Sequence, residues 1–518
     1  MFKNHPKGLV SAALSNMGER FGYYIMNAVL LLFLASKFGI SDTTAGIIYS
    51  VFYASIYVLS LPGGIIADRL RNYKGTIMAG LIVMGLGYVL ISIPIMATNT
   101  NQSWLLPFTC FSLFLIALGN GLFKGNLQAI VGQMYDNFEA DAAKKGEEEL
   151  RIAKDKRDAG FQIFYVFINI GGVIAPFVAP LLRSWWLGLH GLKYNASLPE
   201  LCHKYINTHG NISGQDLTNL TELATKVGGT NIDIAFCENY LNVFNTGVHY
   251  SFIASVVAML ISFVIFLITK KNYPNPAKKD DNVVVEYTAD EKVAMATEIR
   301  QRMFALFAVL GVAVFFWFSF HQNGQSLSLF ARDFIITSSI PPEIWQAVNP
   351  FFVIALTPII MWIFSFLAKK GMPISTPRKI AIGMAVATMA YVFLLVISVL
   401  SNYPSGDIFR SLDANVQEIM KSGAWVLIVT YFFLTVAELF ISPLGLSFVS
   451  RVAPKHLQGV CQGLWLGATA LGNLLIWIGP LLYNKYDLWV CWTVFAVVCI
   501  ISMGTMLFMV KWLEKVAK

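Results

Sequence analysis

Five ionisable side chains lie inside long apolar segments of the sequence: Glu19, Arg20, Lys124, His321 and Glu438. If those segments cross a membrane, each group costs free energy unless it is paired or faces a water-filled cavity. Each of the five is therefore a candidate for ligand binding or proton transfer. The alternative is a structural ion pair or hydrogen bond that holds the helices together.

The charges of the N-terminal part do not balance. Glu19 and Arg20 lie in LSNMGERFGYY, and Lys124 lies in GNGLFKGN. A purely structural ion pair needs one acid and one base, so the second base is unexplained by that role. We expect Lys124 to pair with Glu19 and Arg20 to face a cavity, where an anionic ligand group completes the charge balance.

The C-terminal part is acidic. Glu438 has no basic neighbour in YFFLTVAELFISPLGLS, so it could exchange protons or receive an ammonium group. The alternative for Glu438 is a protonated side chain bonded to a backbone carbonyl. His321 is either a proton carrier, because imidazole titrates near neutral pH, or a neutral hydrogen-bonded core group. A ligand with an amine at one end and a carboxylate at the other would bridge the two parts.

Aromatic residues near these charges offer surface to side chains of varied shape. Each of them alone could equally be a packing residue or an interfacial anchor. They are Tyr23, Tyr24, Tyr57, Trp317 and Trp465.

The composition predicts an all-α membrane protein. Of the 518 residues, 56% are hydrophobic and 13% are charged, against roughly 25% charged residues in a soluble domain. Apolar runs of about 20 residues recur along the chain, and lipid-exposed backbone must satisfy its own hydrogen bonds as helices. We predict twelve spans, at 10–35, 44–68, 75–97, 104–134, 160–183, 247–270, 303–334, 344–368, 378–400, 423–449, 459–483 and 488–512.

The net charge of +8 lies mainly in short loops between the apolar runs. That placement follows the positive-inside rule and predicts cytoplasmic N and C termini, in a multi-pass protein of the plasma (inner) membrane. It also argues against a nucleic-acid partner. The first apolar run contains Glu19 and Arg20 and is too long for a cleavable signal peptide.

The spans divide the chain into two similar halves. Spans one to six occupy 1–183 and 247–270, a polar linker follows at 271–302, and spans seven to twelve occupy 303–518. Two six-helix bundles are the expected arrangement for rocking about a site at the midplane. Residues 184–246 form an extracytoplasmic insertion whose Cys202 and Cys237 could form a disulfide. No cysteine spacing predicts a metal site.

Seven motifs occur in order along the chain. The first half contains NMGERFGYY at 16–24, GIIADR at 64–69, GNGLFKGN at 119–126 and FYVFINIG at 164–171. The second half contains FWFSFHQ at 316–322, QAVNP at 346–350 and ELFISPLGLS at 438–447. Together they resemble the proton-dependent oligopeptide transporter family, within the major facilitator superfamily. The resemblance implies the major facilitator fold.

The resemblance also implies residue roles. Arg20 and Lys124 would face a peptide carboxylate, and Glu438, helped by Asn349, would take the peptide amine. Asn169 would hold the peptide backbone, and Glu19 would be a protonation site coupled to Arg20 and Lys124. The aromatic residues named above would line the pocket. Gly64, Asp68 and Arg69 resemble the superfamily's cytoplasmic gating motif.

Two departures from the family pattern concern proton coupling. Asn16 replaces the first Glu of the span-one motif, and His321 replaces the acid of span seven. Coupling then runs through Glu19, Glu438 and His321, or the stoichiometry is altered, or uptake is partly uncoupled. Many bacterial members carry two further helices between the halves, but residues 271–302 are too polar to supply them.

These observations predict a monomeric importer of di- and tripeptides that works by alternating access. The proton gradient supplies the energy and no cofactor is needed. The alternatives are the same fold with another cargo, such as nitrate or a modified amino acid, and an uncoupled facilitator. An enzyme is not expected, because no nucleophile triad, metal cluster or phosphate loop occurs.

Overall fold

A computed structural model describes residues 5–274, 289–336, 340–372, 374–452 and 458–516. Within these ranges the regular elements are helices, and the one β-type contact is an isolated bridge between Ile335 and Ser422. Large apolar side chains such as Phe508, Leu400 and Ile268 lie on the outside. An apolar exterior is the surface that lipid requires, so the predicted all-α membrane class is confirmed.

The first half contains nine helices among the described residues. They are α1 (Leu9–Phe38), α2 (Asp42–Val58), α3 (Ser60–Leu70), α4 (Tyr73–Ser92), α5 (Gln102–Ala143), α6 (Glu147–Leu189), α7 (Leu198–Asn207), α8 (Gln215–Lys226) and α9 (Ile234–Thr269). Helix α1 packs against α6 and α9, and α4 packs against α5.

The second half contains ten described α-helices. They are α10 (Ala289–Phe320), α11 (Ser326–Asp333), α12 (Val348–Lys369), α13 (Thr376–Leu400), α14 (Gly406–Ser411), α15 (Ala414–Met420), α16 (Trp425–Val452), α17 (Gln458–Leu475), α18 (Ile478–Lys485) and α19 (Leu488–Val516). Short 3-10 helices occupy His321–Gly324 and Pro342–Ala347.

The prediction of twelve spans is confirmed. Eleven helical stretches of the described chain are long and apolar enough to cross a membrane, and Trp425–Ile441 within α16 is a shorter apolar segment. The charged segment 136–158 is largely helical. It continues α5 and α6 beyond their apolar parts, and the two helices meet at a turn where Gly146 has φ 144°.

Several spans are interrupted where the sequence predicted continuous helices. The break between α2 and α3 precedes Pro62, which has no N–H to donate to the carbonyl of Val58. The span predicted at 303–334 is interrupted at His321–Gly324, and the span at 459–483 between Leu475 and Ile478. Interrupted helices are typical of transporter sites.

The two ends of the bundle differ. We call the end that carries α7, α8, α14 and α15 the insertion end, and the opposite end, where α1 begins and α19 finishes, the termini end. Residues 184–246, predicted as a loop insertion, are largely helical: α6 extends to Leu189, α9 begins at Ile234, and α7 and α8 lie between them.

Glycines allow α4 and α5 to approach each other closely. A Cβ at Gly119 of α5 would overlap the backbone of Gly80 and Met84 of α4, whereas a Cβ at Gly125 would meet nothing within 4 Å. Small residues at such positions let membrane helices pack backbone to backbone.

Gly119→Ala should therefore destabilise the first half, because the added methyl group forces α4 and α5 apart. Overpacking of this kind costs about 1–3 kcal/mol, and the midpoint of thermal unfolding in detergent should fall measurably. Gly125→Ala, on the same helix, is the matched control and should leave the midpoint unchanged or slightly raised. Equal midpoints for both variants would contradict the close packing.

Candidate functional site

Glu19 and Arg20 form an ion pair inside the first half. The Arg20 guanidinium donates to the Glu19 carboxylate through Nε at 2.6 Å and Nη2 at 2.8 Å. Asn120 of α5 donates a further hydrogen bond to Glu19 at 2.5 Å. Glu19 is fully buried, so these bonds replace the water that its carboxylate would otherwise need.

This pairing corrects the expectation that Lys124 would pair with Glu19. Adjacent residues on a helix point in different directions, so the sequence did not favour a pair of neighbours. The long Arg20 side chain nevertheless folds back onto Glu19. Lys124 forms no ion pair with a carboxylate of the described residues, and its ammonium group lies 4.6 Å from the ring centroid of Tyr57. Of the three charged residues Glu19, Arg20 and Lys124, Lys124 is therefore the one without an ion-pair partner among the described residues.

Tyrosines on α2 form a column beside these charges. Tyr49, Tyr53 and Tyr57 are spaced by four residues, so they share one face of the helix. Tyr53 is central: its ring centroid lies 6.1 Å from Tyr23, 6.0 Å from Tyr57 and 4.8 Å from His321. The sequence analysis selected Tyr57 but missed Tyr53 and Tyr49, although their spacing could have indicated them.

His321 lies where α10 ends, against the column from the other half. Its ring stacks on Trp317 at 4.8 Å, and its Nδ1 lies 2.5 Å from Oδ1 of Asn473 on α17. Asn473 is fully buried and was missed by the sequence analysis. The signal that could have revealed it is an amide side chain within an apolar span, and the same signal applies to Asn120.

Glu438 and Asn349 are brought together in the second half. Asn349 Nδ2 donates to Oε2 of Glu438 at 2.9 Å and to the hydroxyl of Thr435 at 3.0 Å. Glu438 is partly exposed and has no basic partner among the described residues. Its carboxyl group interacts electrostatically with Tyr24 and Tyr57 of the first half, so it lies near the boundary between the halves.

Two further predicted binding residues lie in the surrounding helices. Asn169 of α6 is buried and donates to the backbone carbonyl of Tyr165 at 3.0 Å, so this amide group is held by its own helix. Trp465 of α17 is buried, with 4% of its surface exposed. Among the described residues, neither is hydrogen-bonded to the charged groups, and their roles stay predictions.

The predicted gating motif lies away from this cluster. Asp68 and Arg69 are exposed at the termini end, and Asp68 accepts a hydrogen bond from the hydroxyl of Tyr73. A Cβ at Gly64 would meet nothing within 4 Å. These residues do not contribute to the binding cluster, and a gating role is untested.

Cys202 of α7 and Cys237 of α9 are both fully buried. No disulfide bond joins their thiols. A hydrogen bond with the Cys237 thiol makes the largest contribution to the raised pKa of Cys202. The two cysteines are therefore neighbours, and the predicted disulfide stays a prediction.

The halves are joined between this cluster and the insertion end. Arg183 of α6 forms an ion pair with Glu343 at 2.5 Å, and Arg332 of α11 forms one with Asp42 at 3.0 Å. Asn27 also donates to Gln346 at 2.8 Å. The conformation is therefore closed on the insertion side of the cluster.

The cluster as a whole has opposite charges on its two walls. The first half presents Lys124 and the partly neutralised Arg20, and the second half presents Glu438. Tyrosine and tryptophan rings lie between them. Such a site can hold a short molecule with an anionic and a cationic end, because each end finds an opposite charge.

Comparisons with known proteins agree on one family. The sequence model described as the POT family matches residues 74–289 and 282–487. The chain is 29% identical over 495 residues to "Peptide transporter YePEPT" of Yersinia enterocolitica, with 91% of this chain and 87% of the relative covered. It is 28% identical over 522 residues to "Dipeptide and tripeptide permease B" of Shigella dysenteriae, with 96% and 93% covered.

A solved structure, "peptide transporter POT in complex with sulfate", has the same fold. It superposes with a TM-score of 0.70 at 21% sequence identity, and the match covers 100% of this chain and 96% of that one. The major facilitator arrangement implied by the motifs is thereby confirmed. Since the family match includes most of both halves, the chain belongs to the POT family of transporters.

Proposed function

We propose that this protein imports di- and tripeptides together with protons by alternating access. The single observation that carries the proposal is the placement of an ammonium group of the first half, Lys124, and a carboxyl group of the second half, Glu438, near the same ring, Tyr57, with no ion-pair partner for either among the described residues. The carboxylate of a short peptide would bind near Lys124 and Arg20, and its amine would bind Glu438. The names of the relatives, peptide transporter and dipeptide and tripeptide permease, support this cargo.

The proposed orientation puts the insertion end outside and the termini end in the cytoplasm of a plasma (inner) membrane. Lys and Arg are concentrated in the loops of the termini end, which supports cytoplasmic N and C termini. The described conformation of the transporter, which we propose to be a monomer, is then closed toward the outside. No cofactor is proposed, because the proton gradient and the membrane potential supply the energy.

Proton coupling is proposed to involve Glu19, His321 and Glu438. Arg20 holds the Glu19 carboxylate through two hydrogen bonds in this state. His321 is oriented by Asn473: if Asn473 Oδ1 accepts from Nδ1–H, an incoming proton goes to Nε2 without any rearrangement. The absence of an acid at positions 16 and 321 keeps an uncoupled facilitator as the second candidate.

Lys124→Ala should reduce dialanine uptake into proteoliposomes about 10- to 100-fold, because a charged hydrogen bond to the peptide carboxylate is lost. Wild-type protein should strongly prefer dialanine to dialanine amide, and the variant should lose that preference. Lys144→Ala, which changes an exposed lysine directly after the same helix, is the control. A variant that still discriminates against the amide would remove Lys124 from carboxylate recognition.

Glu438→Gln should reduce uptake by a similar factor through loss of the partner for the peptide amine. The diagnostic competitor is N-acetyl-dialanine, which should inhibit wild-type uptake poorly and the variant relatively better. Asp141→Asn, which removes an exposed carboxylate of the extended α5, serves as the control. Unchanged uptake by Glu438→Gln would contradict the proposed amine site.

His321→Ala should abolish accumulation driven by a pH gradient while peptide exchange without a gradient continues, because exchange needs no net proton transfer.

Asn473→Leu removes the acceptor for Nδ1–H of His321 and should move the pH profile of uptake to lower pH. Asn473→Asp retains an acceptor and should move it to higher pH. Uptake should be measured with the pH gradient and the membrane potential set separately. If neither gradient drives wild-type accumulation, the facilitator is the correct alternative.

A further inference from the structure

The insertion between α6 and α9 is attached firmly to the first half. Helix α7 packs against α9, with Leu198 and Cys202 fully buried. His203 of α7 lies with its Nε2 2.7 Å from the backbone carbonyl of Ser36 at the end of α1. Because these contacts are buried, α7 must move with the first half when that half moves.

Helix α8 of the insertion binds the second half through Asn219. The side chain of Asn219 is 1% exposed. Its Nδ2 donates to the backbone carbonyl of Leu412 at 2.7 Å, and its Oδ1 accepts from the backbone N–H of Ala414 at 3.0 Å. The single amide group of Asn219 thus satisfies a backbone acceptor, Leu412, and a backbone donor, Ala414, where the chain leads from α14 into α15. A charged side chain, which is only a donor or only an acceptor, could not satisfy both.

Two contacts flank Asn219. Gln215 Nε2 donates to Oδ2 of Asp413 at 3.0 Å. Hydrogen bonds from Asn415 and Gln215 lower the pKa of Asp413, so its carboxylate is charged at neutral pH and the bond is charge-assisted. On α7, Glu200 lies 2.9 Å from Nε of Arg410, which also forms an ion pair with Asp333 at 3.1 Å.

These contacts lie over a separate chamber at the insertion end. The chamber has a volume of about 640 Å³, and its charged lining includes Asp42, Arg183, Glu200, Arg332, Glu343 and Arg410. The ion pairs Arg183–Glu343 and Arg332–Asp42 belong to this lining and join the two halves. For the insertion end to open, the halves must separate here, so the contacts of Asn219, Gln215 and Glu200 must also break.

We propose that α7 and α8 are a latch: they hold the insertion end closed by binding residues 410–414 of the second half. The latch is distinct from the peptide site, because none of its residues contacts Lys124, His321 or Glu438. A ligand-independent bond made in only one of two conformations shifts the equilibrium toward that conformation. Loss of the two Asn219 bonds should raise the population open at the insertion end about tenfold.

The first test measures conformation rather than transport, so it does not depend on the cargo. Spin labels at Thr221→Cys of α8 and Val416→Cys of α15, both exposed in helices that meet at the latch, report the separation in proteoliposomes. Asn219→Ala should increase the long-distance population about tenfold. Asn211→Ala, an exposed asparagine of the same insertion, should leave the distribution unchanged. Identical distributions for Asn219→Ala and wild-type protein would overturn the latch.

The second test does not rely on a buried substitution. A disulfide between Gln215→Cys and Asp413→Cys should fix the latch and stop dialanine uptake, and reductant should restore it. Continued uptake by the fully cross-linked protein would overturn the proposal. If reduced protein takes up no dialanine while the spin-label distances respond as expected, the cargo assignment fails and the latch stands.

Discussion

The electrostatics of this transporter depend on the bond between Glu19 and Arg20. Because the two side chains neutralise each other within α1, Lys124 is left without an ion-pair partner among the described residues. Glu438, with an amide partner instead of a basic one, is the unmatched acid of the second half. A pairing of Glu19 with Lys124 would have left Arg20 as the free cation. The choice of partner therefore determines which of these two bases lacks an acid.

The tyrosine column lies beside these charges and contacts the second half. Tyr53 joins Tyr23 and Tyr57 on one side to His321 on the other. His321 can take this position because α10 ends there and a 3-10 turn replaces the next turn of α-helix. Its second neighbour, Asn473, comes from α17, close to the interruption before α18. Interrupted helices thus place His321 beside the tyrosine column of the other half.

The insertion end shows a different way of joining the halves. Its inner contacts are ion pairs between bundle helices, whereas its outer contacts involve an insertion that is absent from the basic plan of two six-helix bundles. These ion pairs are buried, so the end can open only if water enters and solvates both charges of each pair. The bonds of Asn219 are also buried, and they require the backbone of residues 412 and 414 to lie against α8. The two sets of contacts together explain why the described conformation is closed at this end.

The sequence alone determined the helical class, the twelve spans, the opposite charges of the two halves and the family, because apolar length, charge placement and motif order are local properties of the chain. Membership of a transporter family also confirms that no enzyme was to be expected. The tertiary structure decided which charges pair, that Tyr53 and Asn473 adjoin His321, and that Asn219 binds residues 412 and 414. These contacts join residues far apart in the chain, or neighbours expected to point apart. Only the packing of the helices fixes such distances.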